Sequence, residues 1–250
     1  MSTNRKEDEV YLAPTLILDF ESPSIQDVLP DLKVAGDIKA QRIAAYLYVR
    51  DRILLGYNRG SDSISASQVL KDGIGHCNTK STLLGALLRG LAVPCRFHFF
   101  RIDKKVQQGI FPRHIYEHHI KNGVLHAWVE AFTGDRWAIL EGVIVDQKYL
   151  NSACRLFPQD KKSVGWGISC PDISTVNTDW DGEGDTFIQK DSIVKDLGVF
   201  DTPDDYYTKY GDNLAGMNSI KRFAYRHIIS RILTRRAEKF RQGEMPQYRN

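Results

Sequence analysis

The stretch from Gly73 to Phe97, GIGHCNTKSTLLGALLRGLAVPCRF, constrains the fold more than any other part of the chain. From Cys77 onward its apolar residues recur with the period of a helix, and Pro94 follows where the pattern stops. We therefore predict a helix over about residues 76–91. The next segment, CRFHFFRI (95–102), alternates aromatic and polar residues and predicts a strand.

Other segments complete an α+β pattern. A helical period runs over about residues 37–55 and returns over about 219–240. Two strand-like runs, VLHAWVEAF (124–132) and RWAILEGVIV (136–145), are joined by the turn TGD, which indicates a hairpin. Helices followed by strands predict N-terminal helices packed on an antiparallel sheet, with a C-terminal helical extension.

The 250 residues suggest one main core with extensions. We predict an N-terminal segment (1–34), a catalytic core (35–150) and a C-terminal extension packed on that core (151–250). With 42% hydrophobic and 26% charged residues and a net charge of +3, the composition is that of an ordinary globular protein. We see no signal peptide and no apolar run long enough to span a bilayer, and we expect a cytoplasmic protein.

The four cysteines are not arranged as a zinc or redox motif. None has CxxC spacing, and a chain of this size in a reducing compartment needs no disulfide framework. We expect no cofactor and no metal, so each cysteine is a packing residue or a reactive thiol. The four are Cys77, Cys95, Cys154 and Cys170.

Cys77 stands where a thiol is activated. Unpaired N–H groups and the helix dipole put positive charge at a helix start, which lowers a thiol pKa. The N–H of Cys77 could also help to hold an oxyanion. The alternative is a buried cysteine that packs as a small hydrophobic residue.

A nucleophilic thiol needs a base, and His126 is the strongest candidate because it lies in an apolar strand. His76 is the sequence neighbour of Cys77, but adjacent helical residues point about 100° apart, which makes it a poor partner. The polar segment 103–122 is predicted to be a loop or flap. It holds His114, His118 and His119, and their spacing gives no convincing metal site. His227 fits a packing or surface role.

The hairpin supplies a carboxylate for His126. If Thr133 pairs with Arg136, Glu141 lies opposite Trp128 and becomes a diagonal neighbour of His126 on the same face. A slip of one residue would move Glu141 to the other face. Glu130 shares that face but lies roughly 13 Å along the strand, too far to orient His126.

Three blocks in order give a family resemblance. VRDRI (49–53), SASQVLKDGIGHCNTKSTLLGALLRGLAVPCRF (65–97) and HAWVEAFTGDRWAILEG (126–142) resemble the transglutaminase-like superfamily of the papain-like cysteine-enzyme fold. The resemblance implies Cys77 as nucleophile and His126 as general base and acid. Glu141 stands where the family usually has Asp.

Two further roles are less defined by the resemblance. Asp146 is a weaker substitute for the acid. The donor that completes the oxyanion hole lies upstream of the cysteine in such folds; Gln68 is a guess, and a surface helix residue is the better interpretation.

The sequence therefore predicts a cysteine-dependent acyl-transfer enzyme with a Cys77–His126–Glu141 triad. Cys77 would take an acyl group from a small-molecule, peptide or carrier-bound substrate, and this acyl-enzyme would pass the group to water or an amine. Natural-product biosynthesis is one role that such an activity could serve. The alternative is a catalytically silent module used for binding or as a scaffold. Arginines on the C-terminal helix could bind an anionic partner, but a solvated face is commoner, so we expect neither membrane nor nucleic acid. The oligomeric state stays open.

Overall fold

The computed structural model describes residues 9–119, 123–157 and 163–246, apart from the side chains of His118, His119 and Ser163. The N-terminal helices are α1 (Pro23–Gln26), α2 (Leu29–Lys33), α3 (Ile38–Arg52), α4 (Ala66–Asp72) and α5 (Cys77–Gly90). They are followed by α6 (Arg113–His119) and α7 (Gln147–Leu156). The C-terminal helices are α8 (Pro203–Tyr210), α9 (Ser219–Ala224) and α10 (Ser230–Arg241), with a π-helical turn at Tyr225–Ile229 between the last two.

The main sheet is antiparallel, and its strands are β3 (Cys95–Ile102), β4 (Val124–Phe132), β5 (Trp137–Ile139) and β8 (Ile193–Phe200). Their order across the sheet is β5-β4-β3-β8. Two small pairs lie outside it: β1 (Leu54–Leu55) with β2 (Ile74–Gly75), and β6 (Ser163–Gly165) with β7 (Ile168–Cys170). Helices on an antiparallel sheet confirm the α+β prediction.

Helix α5 is the centre of the core. Every residue from Cys77 to Arg89 is buried, and the helix packs on β3 and β4 on one side and on α3 and α4 on the other. Gly85 allows the close approach to β3, since a Cβ there would come within 2.4 Å of the Phe97 ring. The leucine-rich pattern therefore reflects a helix enclosed on several sides, not an amphipathic surface helix.

The sequence prediction for the hairpin is partly wrong. Thr133 does pair with Arg136, and the register continues through Phe132–Trp137 and Glu130–Ile139. The second strand, however, ends at Ile139, and a 3₁₀ helix starts at Glu141. The chain leaves the sheet because Glu141 N bonds the Thr186 carbonyl instead of the neighbouring strand.

Two other segments differ from their predicted form. Residues 103–122, predicted to be a loop, contain a 3₁₀ helix at Lys104–Gln107 and helix α6, while 120–122 lie outside the described residues. No strand was predicted beyond residue 150, yet β8 pairs with β3 in the main sheet. The domain boundaries stay predictions, but the C-terminal hundred residues share a sheet with the core.

Candidate active site

Cys77 is the first residue of helix α5, and the two glycines before it have separate structural reasons. Gly73 ends α4 with φ of +64°, a left-handed conformation that glycine adopts without strain. Gly75 lies so close to Thr79 and Lys80 that a Cβ would come within 2.9 Å of each side chain. The glycines thus turn the chain sharply from α4 into α5 and place the thiol at the helix start.

Two side chains of α5 clamp strand β4 on either side of His126. Asn78 Nδ2 donates to the Leu125 carbonyl at 3.1 Å, and Ser81 Oγ donates to the Ala127 carbonyl at 3.2 Å. These bonds fix the helix start relative to the strand position that carries the imidazole. The relation between Cys77 and His126 is therefore set by buried hydrogen bonds as well as by apolar packing.

His126 and Glu141 meet as the sequence predicts, by a different local route. His126 Nε2 lies 2.8 Å from Glu141 Oε1, and both side chains are fully buried. The two atoms are close but not aligned as a hydrogen bond. Because Nε2 faces the carboxylate, Nδ1 is the ring nitrogen left for the thiol, whose charge acts on the imidazole.

Glu141 is held by a segment that the sequence analysis gave no role. Its Oε2 accepts backbone N–H bonds from Ile188 at 2.9 Å, Gln189 at 3.0 Å and Lys190 at 3.1 Å. These three donors form an anion-binding concavity. The segment DTFIQK (185–190) contains no motif that predicts this role, because every residue but proline has a backbone N–H whatever its side chain.

The electrostatics of the site favour an ion pair. Burial by itself would raise the pKa of the Cys77 thiol, but the neighbouring His126, with its positive charge, and the contribution of His76 lower it to about 6. Burial would lower the pKa of His126, and the thiolate together with Glu141 raises it to about 10. At neutral pH the favoured state is a thiolate beside an imidazolium. The thiol also lies 3.5 Å from Asn78 Oδ1.

The helical angle does not rule out His76 as a partner of the thiol. His76 is the N-cap of α5, with φ of −112° and ψ of −173°, so its backbone is extended and the helical angle between neighbours does not apply. Its buried ring and the Cys77 sulfur act on each other electrostatically, and each favours the charged form of the other.

The other candidates lie elsewhere. Asp146 caps α7 by accepting from Tyr149 N and pairs with Arg241, so it is not the partner of His126. Gln68 is an exposed helix residue bonded to Asp72, in line with the surface interpretation.

The other histidines of the polar segment and of the C-terminal region have positions of their own. His227 lies at the surface and contacts Arg59. His114 lies on α6, and the side chains of His118 and His119 lie outside the described part.

The site is closed. Cys77 is 5% exposed and belongs to a buried cluster with Tyr57, Ile110 and Trp166. Among the surface clefts of the described residues, one lies beside Leu47 and Tyr48 and another beside Tyr207 and Asp212, and Cys77, His126 and Glu141 line neither of these two. The sulfur is therefore largely covered in this conformation.

Two features are absent from the described residues. Within ranges 9–119, 123–157 and 163–246, no group of three or more His, Cys, Asp or Glu residues is arranged to hold a metal ion. In the same ranges no helix combines the length and the apolarity that crossing a membrane requires.

Comparisons with known proteins give a family and a weak structural likeness. Residues 33–142 match the model of the transglutaminase-like superfamily. A solved structure of a candidate cysteine protease from Cytophaga hutchinsonii is 16% identical, with a TM-score of 0.40, over 56% of this chain and 43% of its own. The chain thus covers less than half of that protein's length. No curated protein is significantly similar to the chain.

Proposed function

This chain is a member of the transglutaminase-like superfamily through residues 33–142, and on that premise we propose that it is a cysteine enzyme that transfers acyl groups. Cys77 is the nucleophile, His126 the general base and acid, and Glu141 the residue that orients His126. The observation that carries the proposal is the 2.8 Å contact between His126 Nε2 and Glu141 Oε1 beside a thiol at a helix N-terminus.

Acylation starts from the ion pair. The Cys77 thiolate attacks the carbonyl carbon of an amide, ester or thioester, a C–S bond forms, and the carbonyl electrons move to oxygen. The N–H of Cys77 lies at the helix start, where it can donate to that oxyanion. As the oxyanion collapses, His126 gives its proton to the leaving amine, alcohol or thiol, and an acyl-enzyme remains.

Deacylation reverses the proton path. Neutral His126 takes a proton from water or an amine, which attacks the thioester carbonyl. The C–S bond then breaks, its electron pair returns to sulfur, and the thiolate–imidazolium pair is restored. Glu141 stabilises the imidazolium in both steps, as a buried carboxylate does in other triads.

The test is direct trapping of the acyl-enzyme. The full chain is incubated with p-nitrophenyl acetate or an N-acetylcysteamine thioester and analysed by intact-protein and peptide mass spectrometry. We expect one acetyl group on Cys77 in the wild type and in Cys95→Ala, and none in Cys77→Ala. Cys95→Ala is the matched control because Cys95 is buried and its pKa is raised by burial.

The closed site favours one alternative, a catalytically silent module with a retained fold. The 5% exposure of Cys77 is the observation behind it. An alkylated but never acylated Cys77, across esters, amides and thioesters and in folded protein, would support the alternative and contradict acyl transfer.

A further inference from the structure

A second histidine lies beside the nucleophile. His76 is 8% exposed, and its backbone N–H donates to Thr79 Oγ1 at 3.0 Å. This bond fixes the N-cap conformation, in which the extended backbone sends the ring away from the helical path. The position of the ring is therefore set by the helix start and not by a mobile loop.

A carboxylate stands behind His76. Asp62 Oδ1 lies 3.5 Å from His76 Nε2, and Asp62 is itself 1% exposed. Its two oxygens accept from Asn78 Nδ2 at 2.9 Å and from Asn213 N at 2.7 Å. A buried carboxylate fixed by two donors can orient a histidine, which is the relation that Glu141 has to His126.

The ring of Tyr57 fixes another side of His76. The two rings are stacked, with centroids 5.6 Å apart and an angle of 28° between their planes. An imidazolium is favoured next to an aromatic face. His76 is therefore positioned by its backbone, by Asp62 and by Tyr57.

The charges around His76 favour its cationic form. Burial would lower the pKa of His76, but the adjacent Cys77 sulfur and the charges of Asp62 and Asp212 raise it. Asp212 is protonated more readily than an ordinary carboxyl, because burial and the charge of Asp62 raise its pKa. Asp62 and the sulfur are thus the main anionic partners of the ring.

We propose that Cys77 is held as a thiolate by two histidine–carboxylate pairs, and that His76 with Asp62 is the second pair. This inference rests on the proposed function in one respect: it assigns His76 a role at the same sulfur that the proposed function makes the nucleophile. His126 carries the proton to and from the reacting groups. His76 is a positioning residue that keeps the sulfur anionic and in place, so the thiolate does not depend on His126 alone.

The consequence is measurable without any substrate. The rate of Cys77 alkylation by iodoacetamide is followed against pH in the full chain by peptide mass spectrometry. The wild type is compared with His76→Gln, with His126→Gln and with the double variant. We expect each single substitution to raise the pH at which alkylation of Cys77 is half-maximal by about one pH unit, the usual effect of one neighbouring charge. The double variant should raise this midpoint further.

His98→Gln is the matched control. His98 also contacts two carboxylates, Glu130 and Asp196, and its pKa is raised by its bonds to them against the effect of burial. It is not among the groups that chiefly shift the pKa of Cys77, which are His126 and His76 acting against the effect of burial. We expect its alkylation profile to coincide with that of the wild type.

Two results would overturn the second pair. One is a His76→Gln midpoint equal to the wild-type midpoint, with His126→Gln alone giving the profile of the double variant. The other comes from NMR titration of the histidine rings, which needs no His76 variant and so applies even if His76→Gln does not fold. The His76 ring should lose its proton at lower pH in Cys77→Ser than in the wild type. An unchanged titration contradicts the contact.

The outcomes separate this inference from the proposed function. If no acyl-enzyme forms but His76→Gln still raises the midpoint of Cys77, acyl transfer fails and the second pair stands. If Cys77 is acylated and His76→Gln leaves the midpoint unchanged, the reverse holds.

Discussion

Glu141 contacts His126 with one carboxylate oxygen and the backbone of another segment with the other. Oε1 lies 2.8 Å from His126 Nε2, while Oε2 accepts from the three consecutive N–H groups of residues 188–190. A glutamate has one more rotatable bond than the aspartate that the family resemblance leads one to expect. The three backbone donors restrict that extra freedom and hold the carboxylate against the imidazole.

Replacing Glu141 by Gln should keep the shape of the site and remove its charge. The amide oxygen can still accept the backbone N–H groups, but the amide no longer stabilises the His126 imidazolium. We expect the rate of acyl-enzyme formation to fall by about 10³-fold or more, as for the acid of other triads. The measurement is single-turnover release of p-nitrophenol, with Glu130→Gln, which changes a carboxylate bound to Arg96 and His98, as the control. Equal rates for Glu141→Gln and wild type would mean that Glu141 has no part in the reaction.

The pH profile of acylation should be bell-shaped. The reactive pair forms as the Cys77 thiol, whose pKa is lowered to about 6 chiefly by His126 against the effect of burial, loses its proton. The pair is lost when the imidazolium of His126, whose pKa the thiolate and Glu141 raise to about 10 against the effect of burial, gives up its proton. We expect kcat/KM to rise near pH 6 and fall near pH 10, with both limits belonging to the coupled pair. A profile that only begins to rise at pH 8 to 9 would indicate an ordinary thiol.

The buried lysine of helix α5 should make stability depend on pH. Lys80 is fully buried, its Nζ donates to the carbonyls of Arg50 and Ile144, and burial lowers its pKa from 10.5 to about 7. Between these values the unfolded chain binds a proton that the folded chain does not, so this residue makes stability rise with pH from about 7 to 10.5.

Removing the amine should remove that part of the slope. We expect the free energy of unfolding of Lys80→Met, measured in urea at pH 7, 8, 9 and 10, to rise less with pH than that of the wild type. Lys71→Met, at an exposed position of α4, is the control and should keep the wild-type slope. Parallel curves for all three proteins would show that Lys80 is charged throughout this range.

The C-terminal helix should be part of one cooperative unit with the core. Phe240 on α10 is fully buried. Its ring stacks on that of Trp166, with centroids 4.5 Å apart, and packs against that of Tyr149, with centroids 4.9 Å apart. We expect Phe240→Ala to destabilise the whole protein by about 3–5 kcal/mol, in one unfolding transition. Phe223→Ala removes the same side chain at a position that is 61% exposed and should change stability little. A second transition in Phe240→Ala, with the main one unmoved, would show that the extension unfolds by itself.

The sequence by itself determined the elements that carry the candidate site. The period of the leucines placed a helix start at about His76 to Cys77, and its apolar neighbours placed His126 in a strand. The predicted strand bounds, 95–102 and 124–132, match the structure. The turn at Thr133–Arg136 also fixed the hairpin register. These features are local, because they depend on which side of a helix or strand is buried.

Only the tertiary structure decided which polar groups meet. Glu141 leaves the strand because Thr186 and residues 188–190 supply partners that lie about 45 residues away. His76 escapes the helical angle because the N-cap is extended, and the fold brings Asp62 next to its Nε2. A buried polar atom must find a partner wherever the fold provides one, and no period in the sequence records which distant backbone or carboxylate that will be.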